Sequence, residues 1–490
     1  MRGQGKELEK GQKKGQGSEK ELRLVQRTTL FTVMLASFAH PFTSSSLGIA
    51  IPFIGEELQA SATSLSWIIS AMMLTTVALS VPFGRLADLW GRRRIFNLGI
   101  FIVFVATLLG SFAPTLTILI MLRVLQGIGG AMVISTNMAL LIDVFPAQER
   151  GRVLGLSTMC VYIGLSLGPV LGGLITHYFG WRAIFIATSG VILLAFIVAV
   201  ISTLRLSKAA STPATKRADL SISPTSIALY IVAILSLMYG FTVFAQHVYS
   251  YILLGVGCAL FIVFARHESR AAHPVIEVRL FKGNRNFIFS NLAALLNYAA
   301  TFALGYILAI YLEVIKGYPA DVAGLILITQ PVLMAIISPI AGRLSDRWSP
   351  FKMSSVGMAI CAVSMLSFLF LDITSPLIHV VVNLMIVGFG FGLFSSPNTN
   401  AVMSCVSPKD SGLANSMLNT MRSVGQVSSM AIITIVMHFT IGDALIEDAS
   451  FSGIMKTFNT TFIIFAVLCA VGVLLSLNRR QQEKPSVPKR

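Results

Sequence analysis

Apolar runs of about 20 residues recur along nearly the whole chain, separated by short polar turns. That is the length a helix needs to cross the hydrocarbon core of a bilayer. Inside that core every backbone N–H and C=O must be satisfied within the protein, which admits only helices and closed barrels. The runs are continuous and do not alternate residue by residue, so barrel strands are excluded. The chain reads as an all-α polytopic membrane protein. Six spans begin near Thr28, Ser64, Ile95, Thr117, Val153 and Trp181, two near Thr225 and Tyr249, and six near Asn286, Val322, Lys352, Leu377, Leu413 and Thr460. This predicts fourteen crossings. A soluble chain of 490 residues would carry about twice the 12% charged residues found here.

The formal net charge of +16 raises the question of a nucleic-acid partner, and its distribution answers it. With the N-terminus inside, 32 of the 37 Lys and Arg fall in the segments that would face the cytoplasm. Arg182, Lys316 and Lys456 fall outside, and Arg123 and Arg422 lie within spans. The positive-inside rule then puts both termini in the cytoplasm, as an even span number requires. The basic excess faces the anionic inner leaflet of the cell membrane, and no nucleic acid is expected. The resulting division is a polar unfolded tail at 1–27, a six-span bundle at 28–204 and a linker at 205–223. Two extra spans at 224–266, a loop at 267–285, a second six-span bundle at 286–477 and a tail at 478–490 follow.

Five cysteines lie in or beside spans without a CxxC pair, so neither a disulfide framework nor a metal is expected. No HExxH stretch, paired intramembrane acids or Walker loop occurs, and neither an enzyme nor a cofactor is expected. GLSLGPVLGG also matches GxSxG at Ser166, but no strand-turn-helix surrounds it.

Two cytoplasmic turns carry the same knot. The first, GRLADLWGRRR, holds Gly84, Asp88, Gly91 and Arg92; the second, GRLSDRWSPFK, holds Gly342 and Asp346. Arginines alone would suit any cytoplasmic loop, but the fixed spacing of Gly and Asp 258 positions apart points to a duplication. Duplicated bundles rocking about a central site are a transporter design. Each knot is expected to act as a charged latch that holds one face shut. The second lacks the second glycine and the arginine triplet, which predicts the weaker latch.

GRLADLWGRRR resembles the loop signature of the major facilitator superfamily. LRVLQGIGG, with Arg123, Gln126 and Gly127, resembles that family's span-4 motif, and GLSLGPVLGG resembles the span-5 motif of its antiporters. NSMLNTMRSVGQ and RLFKGNRNF resemble the fourteen-span drug:proton antiporter group. The likeness runs from about Thr28 to Leu477. It implies the major facilitator fold, two six-helix bundles plus two extra helices, and export of small drug-like solutes against protons. It also implies that the span-5 segment occludes the outward side. Gly164, Gly168 and Gly172 would bare one helical stripe for a close neighbour, and Pro169 would bend the helix there.

One departure concerns the proton. In the resembled group, span 1 carries an acid nine positions before the proline that ends its polar stretch. Counting back from Pro52 in HPFTSSSLGIAIP reaches Thr43. None of the 21 Asp and Glu falls in the middle of a span. His40, three residues earlier on the same helical face, is the titratable substitute. The candidate substrate and coupling residues are therefore His40, Thr43, Arg123, Gln126, Asn419 and Arg422. The expected partners are a small-molecule solute, protons and the lipid bilayer, with the chain acting as a monomer. An uncoupled facilitator or importer of a neutral or anionic solute is the competing reading. A cationic core without acids is expected to handle neutral or anionic compounds better than lipophilic dications.

Overall fold

The computed structural model describes residues 2–59, 62–209, 223–242, 249–270, 283–407, 410–441 and 451–477. Of the expected connecting segments, 210–222, 271–282 and 478–490 lie outside the described residues.

The first half consists of α1 (Arg2–Leu58), α2 (Ala62–Trp90), α3 (Arg92–Gly110), α4 (Leu116–Val144), α5 (Arg150–Phe179) and α6 (Arg182–Ala209). A hairpin of α7 (Pro224–Thr242) and α8 (Tyr249–Glu268) follows. The second half opens with α9 (Arg285–Thr301), which continues after a break as α10 (Leu304–Ile310) and a π-turn at Tyr311–Ile315. Next come α11 (Ala320–Leu327) and α12 (Thr329–Arg347), then α13 (Pro350–Phe368), α14 (Leu377–Ser404), α15 (Ser411–Thr440) and α16 (Phe451–Leu477). The fold is all-helical, without a strand among the described residues. Eleven helices among them are long and apolar enough to cross a membrane, and Pro224–Gly240 is a shorter apolar one. Fourteen crossings belong to the proposal below. α1 begins at Arg2, so helix runs through the polar segment for which the sequence predicts no packed structure. Its Lys, Glu and Gln are good helix formers, and a helix anchored on an apolar span extends without a new nucleus.

The helices that bury the most do so against small residues. Gly99 of α3 faces Met132 and Gly129 of α4, and a Cβ on Gly129 would meet Val103 at 2.8 Å. Gly357 of α13 and Gly390 of α14 face each other in the same way. Without a hydrophobic force between helices in lipid, such close backbone approach is what dispersion can use. Buried Ser and Thr turn their hydroxyls onto their own helix, as Thr76 does to Met72 C=O at 2.8 Å and Ser338 to Met334 C=O at 2.7 Å.

The face that carries the Gly84 and Gly342 turns is called the knot end, and the opposite face the far end. At the knot end one apolar cluster crosses the seam between the halves. It joins Leu140, Leu141 and Phe145 to Val402, Leu413 and Leu418, with Tyr230 and Ile234 of the hairpin alongside. Toward the far end Leu47, Ile68 and Phe185 form a cluster in the first half, and Leu308, Tyr311 and Phe458 belong to one in the second half that Tyr162 of α5 joins. There the Glu57 carboxylate of α1 accepts from Arg182 and from the Trp181 indole (2.7 Å), with the Arg182 guanidinium 4.2 Å above the indole ring. Those two hydrogen bonds, Arg182 first, hold the Glu57 carboxyl below its ordinary value.

Candidate functional site

The first knot closes α2 onto the start of α15. Asp88 accepts from Leu413 N–H (3.1 Å) and is paired with Arg92 at 2.8 Å. Arg92 reaches on to Asp143 at 2.6 Å, at the end of α4. A carboxylate over exposed N-terminal amides satisfies orphan donors and complements the helix dipole. Gly84, one turn earlier, lies against Ser416 and the Gly412 carbonyl, where any Cβ would collide. Gly91 has φ 104°, a conformation that favours glycine, and makes the sharp turn into α3.

The second knot repeats this across the pseudo-symmetric seam. Asp346 at the end of α12 accepts from Gly151 N–H (2.6 Å) and Arg152 N–H (2.9 Å) at the start of α5. Gly342 and Gly151 touch backbone to backbone, and Gly155 meets Ser338 C=O and Pro339. The second knot makes its turn with different residues from the first. The missing glycine is replaced by Ser349 and by Pro350 at the first turn of α13, which make the bend without positive φ. Asp346 itself accepts two backbone N–H groups to Asp88's one among the hydrogen bonds described.

Further hydrogen bonds join the halves toward the same end. Asn415 donates to Ile134 C=O (2.5 Å) and to Asn137 (3.2 Å) on α4, and Asn419 donates to Ile134 C=O at 3.3 Å. Asn419, expected at the substrate, thus stands at the seam. Thr420 meets Ser80 of α2 at 3.2 Å and Tyr230 of the hairpin at 3.4 Å. Two Asp-to-backbone contacts, a shared apolar cluster and these side chains close one end of the bundle.

A model of the Major Facilitator Superfamily matches residues 33–270 and 290–490. The chain belongs to the Major Facilitator Superfamily. It is a multi-pass membrane transporter and not an enzyme. It is 28% identical over 453 residues to the riboflavin transporter RibZ of Clostridioides difficile, covering 91% of this chain and 96% of that one. It is 27% identical over 416 residues to the multidrug resistance protein Stp of Mycobacterium tuberculosis, covering 83% of this chain and 75% of that one. The crystal structure of the human organic anion transporter MFSD10 (TETRAN) aligns with a TM-score of 0.62 at 15% identity, over 93% of this chain and 99% of that one.

Within this major facilitator chain the span-5 glycine stripe faces α1. Gly164 lies against Phe38 C=O, Gly168 against Ser45 and Gly172 against Ser46. Pro169 leaves Leu165 C=O without its helical donor, and the Ser45 hydroxyl supplies one at 3.1 Å. α5 passes through Pro169 as unbroken helix, so the stripe packs α5 inside its own half.

Arg123 and Gln126 form a buried network in which Arg123 Nη2, alone of the guanidinium nitrogens, is buried without a partner. Arg123 is 1% exposed and donates to Ile68 C=O (2.7 Å) and to Gln126 (2.7 Å), which donates to Thr107 at 2.6 Å. These bonds tie α4 to α2 and α3. Thr43 is buried and bonded to Ala39 C=O of its own helix at 2.7 Å. His40 is half-buried with its ring beside Gly130, where a Cβ would make only ordinary contact with it. Arg422 is half-buried in the second half and donates to Thr399 Oγ at 2.5 Å. No Asp or Glu among the described residues pairs with either arginine. No cluster of three or more metal-ligating side chains is present among them.

Sequence reading missed Asn137, Asn415 and the aromatic group Tyr162, Tyr298 and Phe391. Asn415 stood inside a quoted motif, but nothing local marks its partner on α4. The three rings come from three helices and share no spacing.

Proposed function

We propose that this chain is a fourteen-span secondary transporter of the cell membrane that exports small amphipathic solutes by alternating access, seen here facing outward. The carrying observation is the pair of Asp latches, Asp88 on α15 and Asp346 on α5, closed together at one end. The concentration of Lys and Arg at that end makes it the cytoplasmic one under the positive-inside rule. The multidrug resistance relative favours export of drug-like solutes, and the riboflavin transporter relative is consistent with a small organic solute.

Proton exchange falls to His40 in this reading, because Thr43 replaces the acid and its hydroxyl is held by Ala39. The acid-free interior favours one second reading, an uncoupled facilitator. Flux in proteoliposomes with and without an imposed pH gradient separates the two. Uphill export driven by the gradient and lost in His40→Gln supports coupled export. Downhill flux that ignores the gradient in both proteins overturns the coupling and leaves a facilitator.

A further inference from the structure

We propose that Arg422, Tyr298, Phe391 and Tyr162 form the solute-recognition subsite, and that it selects a planar aromatic compound bearing one negative charge. The inference rests on the transporter reading and names the chemistry that reading leaves open.

The residues meet at one depth in the seam. Tyr162 lies eleven residues beyond Gly151 on α5, and Arg422 nine beyond Leu413 on α15, about 16 Å and 14 Å from the latches. The guanidinium carbon of Arg422 stands 5.6 Å from the centre of the Tyr298 ring. Tyr298 meets Phe391 edge to face at 5.1 Å, and Phe391 meets Tyr162 edge to face at 6.0 Å. Tyr162 belongs to the first half and the others to the second, so a solute among these rings touches both halves. Tyr162 lies within electrostatic reach of Arg422 and of Tyr298, with Ser395 beside it.

The polar atoms at this point are under-used. A guanidinium has five N–H donors and keeps its charge in a protein. Arg422 gives one to a neutral hydroxyl, Thr399, and its Nε is buried without a partner. Ser395 is buried with its hydroxyl turned to Tyr162. Phe391, Ser395 and Thr399 follow one another at four-residue spacing, so α14 presents ring, hydroxyl and hydroxyl along one face. The helix holding Tyr298 breaks one turn later, at Phe302–Ala303, where the Ala303 N–H is taken by Ser429 of α15 at 3.0 Å. Broken helices at membrane depth are tolerated where protein or a cavity satisfies their backbone, and here Ser429 does so.

Arg123 supplies the contrast. It is 1% exposed, and although its Nη2 also lacks a partner, its Nε and Nη1 are taken by a backbone carbonyl and an amide within its own half. Arg422 is the half-buried cation at the seam. An intramembrane charge normally faces a partner or a cavity. Here the missing partner is an anion, and the flat rings beside the guanidinium suit a flat anion that stacks.

The test uses purified protein with 2-naphthoate, 2-naphthamide and 2-naphthylmethylammonium as probes, each measured for binding and for flux in proteoliposomes. The acid is expected to bind at least tenfold tighter than the amide, with the ammonium weakest. Arg422→Gln should erase the preference for acid over amide, and Arg422→Lys should keep part of it. Tyr298→Leu should weaken all three probes, whereas Tyr298→Phe should not. Variants are compared only if they elute and melt as the wild type does. An undiminished acid preference in Arg422→Gln, or no acid preference in the wild type, overturns the subsite. Equal flux of all three probes sinks the subsite but not the transporter; no flux of any solute from folded protein counts against the transporter reading itself.

Discussion

Replacing Asp346 by Ala removes the acceptor of two backbone N–H groups, those of Gly151 and Arg152. Hydrogen bonds to a charged group contribute about 1.5–3 kcal/mol each. In the alternate state water takes over both the carboxylate and the amides, so only part of that sum distinguishes the two states. A differential of about 1.5–3 kcal/mol corresponds to a shift of roughly 10- to 150-fold in the equilibrium between knot-closed and knot-open forms. Trp90 and Trp348 sit beside the two latches on opposite halves, each 64% exposed, and are sites for spin labels once the five native cysteines are replaced. Pulsed electron–electron distance measurements should show a single short population in the parent protein and a dominant long one in Asp346→Ala. Asp346→Asn keeps one acceptor oxygen and should shift less. If Asp346→Ala leaves the distances unchanged while Asp88→Ala opens them, the geometry has been misjudged and the second knot is the minor one.

Gly84→Leu and Gly342→Leu should each insert normally yet fail to close, since the new side chain would overpack against Ser416 or Gly151 in the knot-closed form alone; the same labels read this as a lasting long distance, and normal transport would refute it. Cysteines placed at Lys316 and Lys456 should react with an impermeant maleimide in intact cells, and labelling of the N-terminal tail instead would invert the topology. The Glu57 carboxyl sits below its ordinary value of 4.5 in the folded protein, so its link to Arg182 and Trp181 stabilises above that value and is lost as pH falls through the lowered one. The melting temperature of Glu57→Gln should therefore trail the wild type at neutral pH and converge with it in acid; a constant gap would show that the link is not electrostatic.

The duplicated knot made the two-half architecture legible, because glycine at a helix crossing and aspartate over a helix start are local requirements that leave a fixed spacing. What the knots touch was not legible. The partners of Asp88 and Asp346 lie 325 and 195 positions away, and no local pattern announces them. At the second knot Ser349 and Pro350 make the bend that Gly91 makes at the first, so the same turn is written with different residues. The glycine stripe around Pro169 was read as a bare face of a gating helix, but a bare stripe does not say which helix fills it, and α1 does. Arg422 was found by its depth in a span, whereas its aromatic neighbours were ordinary residues of ordinary apolar runs until three helices met.

The α7–α8 hairpin has a consequence of parity. Each crossing of the membrane reverses the sidedness of everything that follows it. One added helix between the halves would turn the second half over, leaving Asp346 on one side of the bilayer and the Gly151 and Arg152 amides on the other. A pair restores the original sense, so two is the smallest number of helices that an insertion at this place can carry without separating the second latch from its catch. The Tyr230 hydroxyl stands against Thr420, so α7 also borders the seam itself.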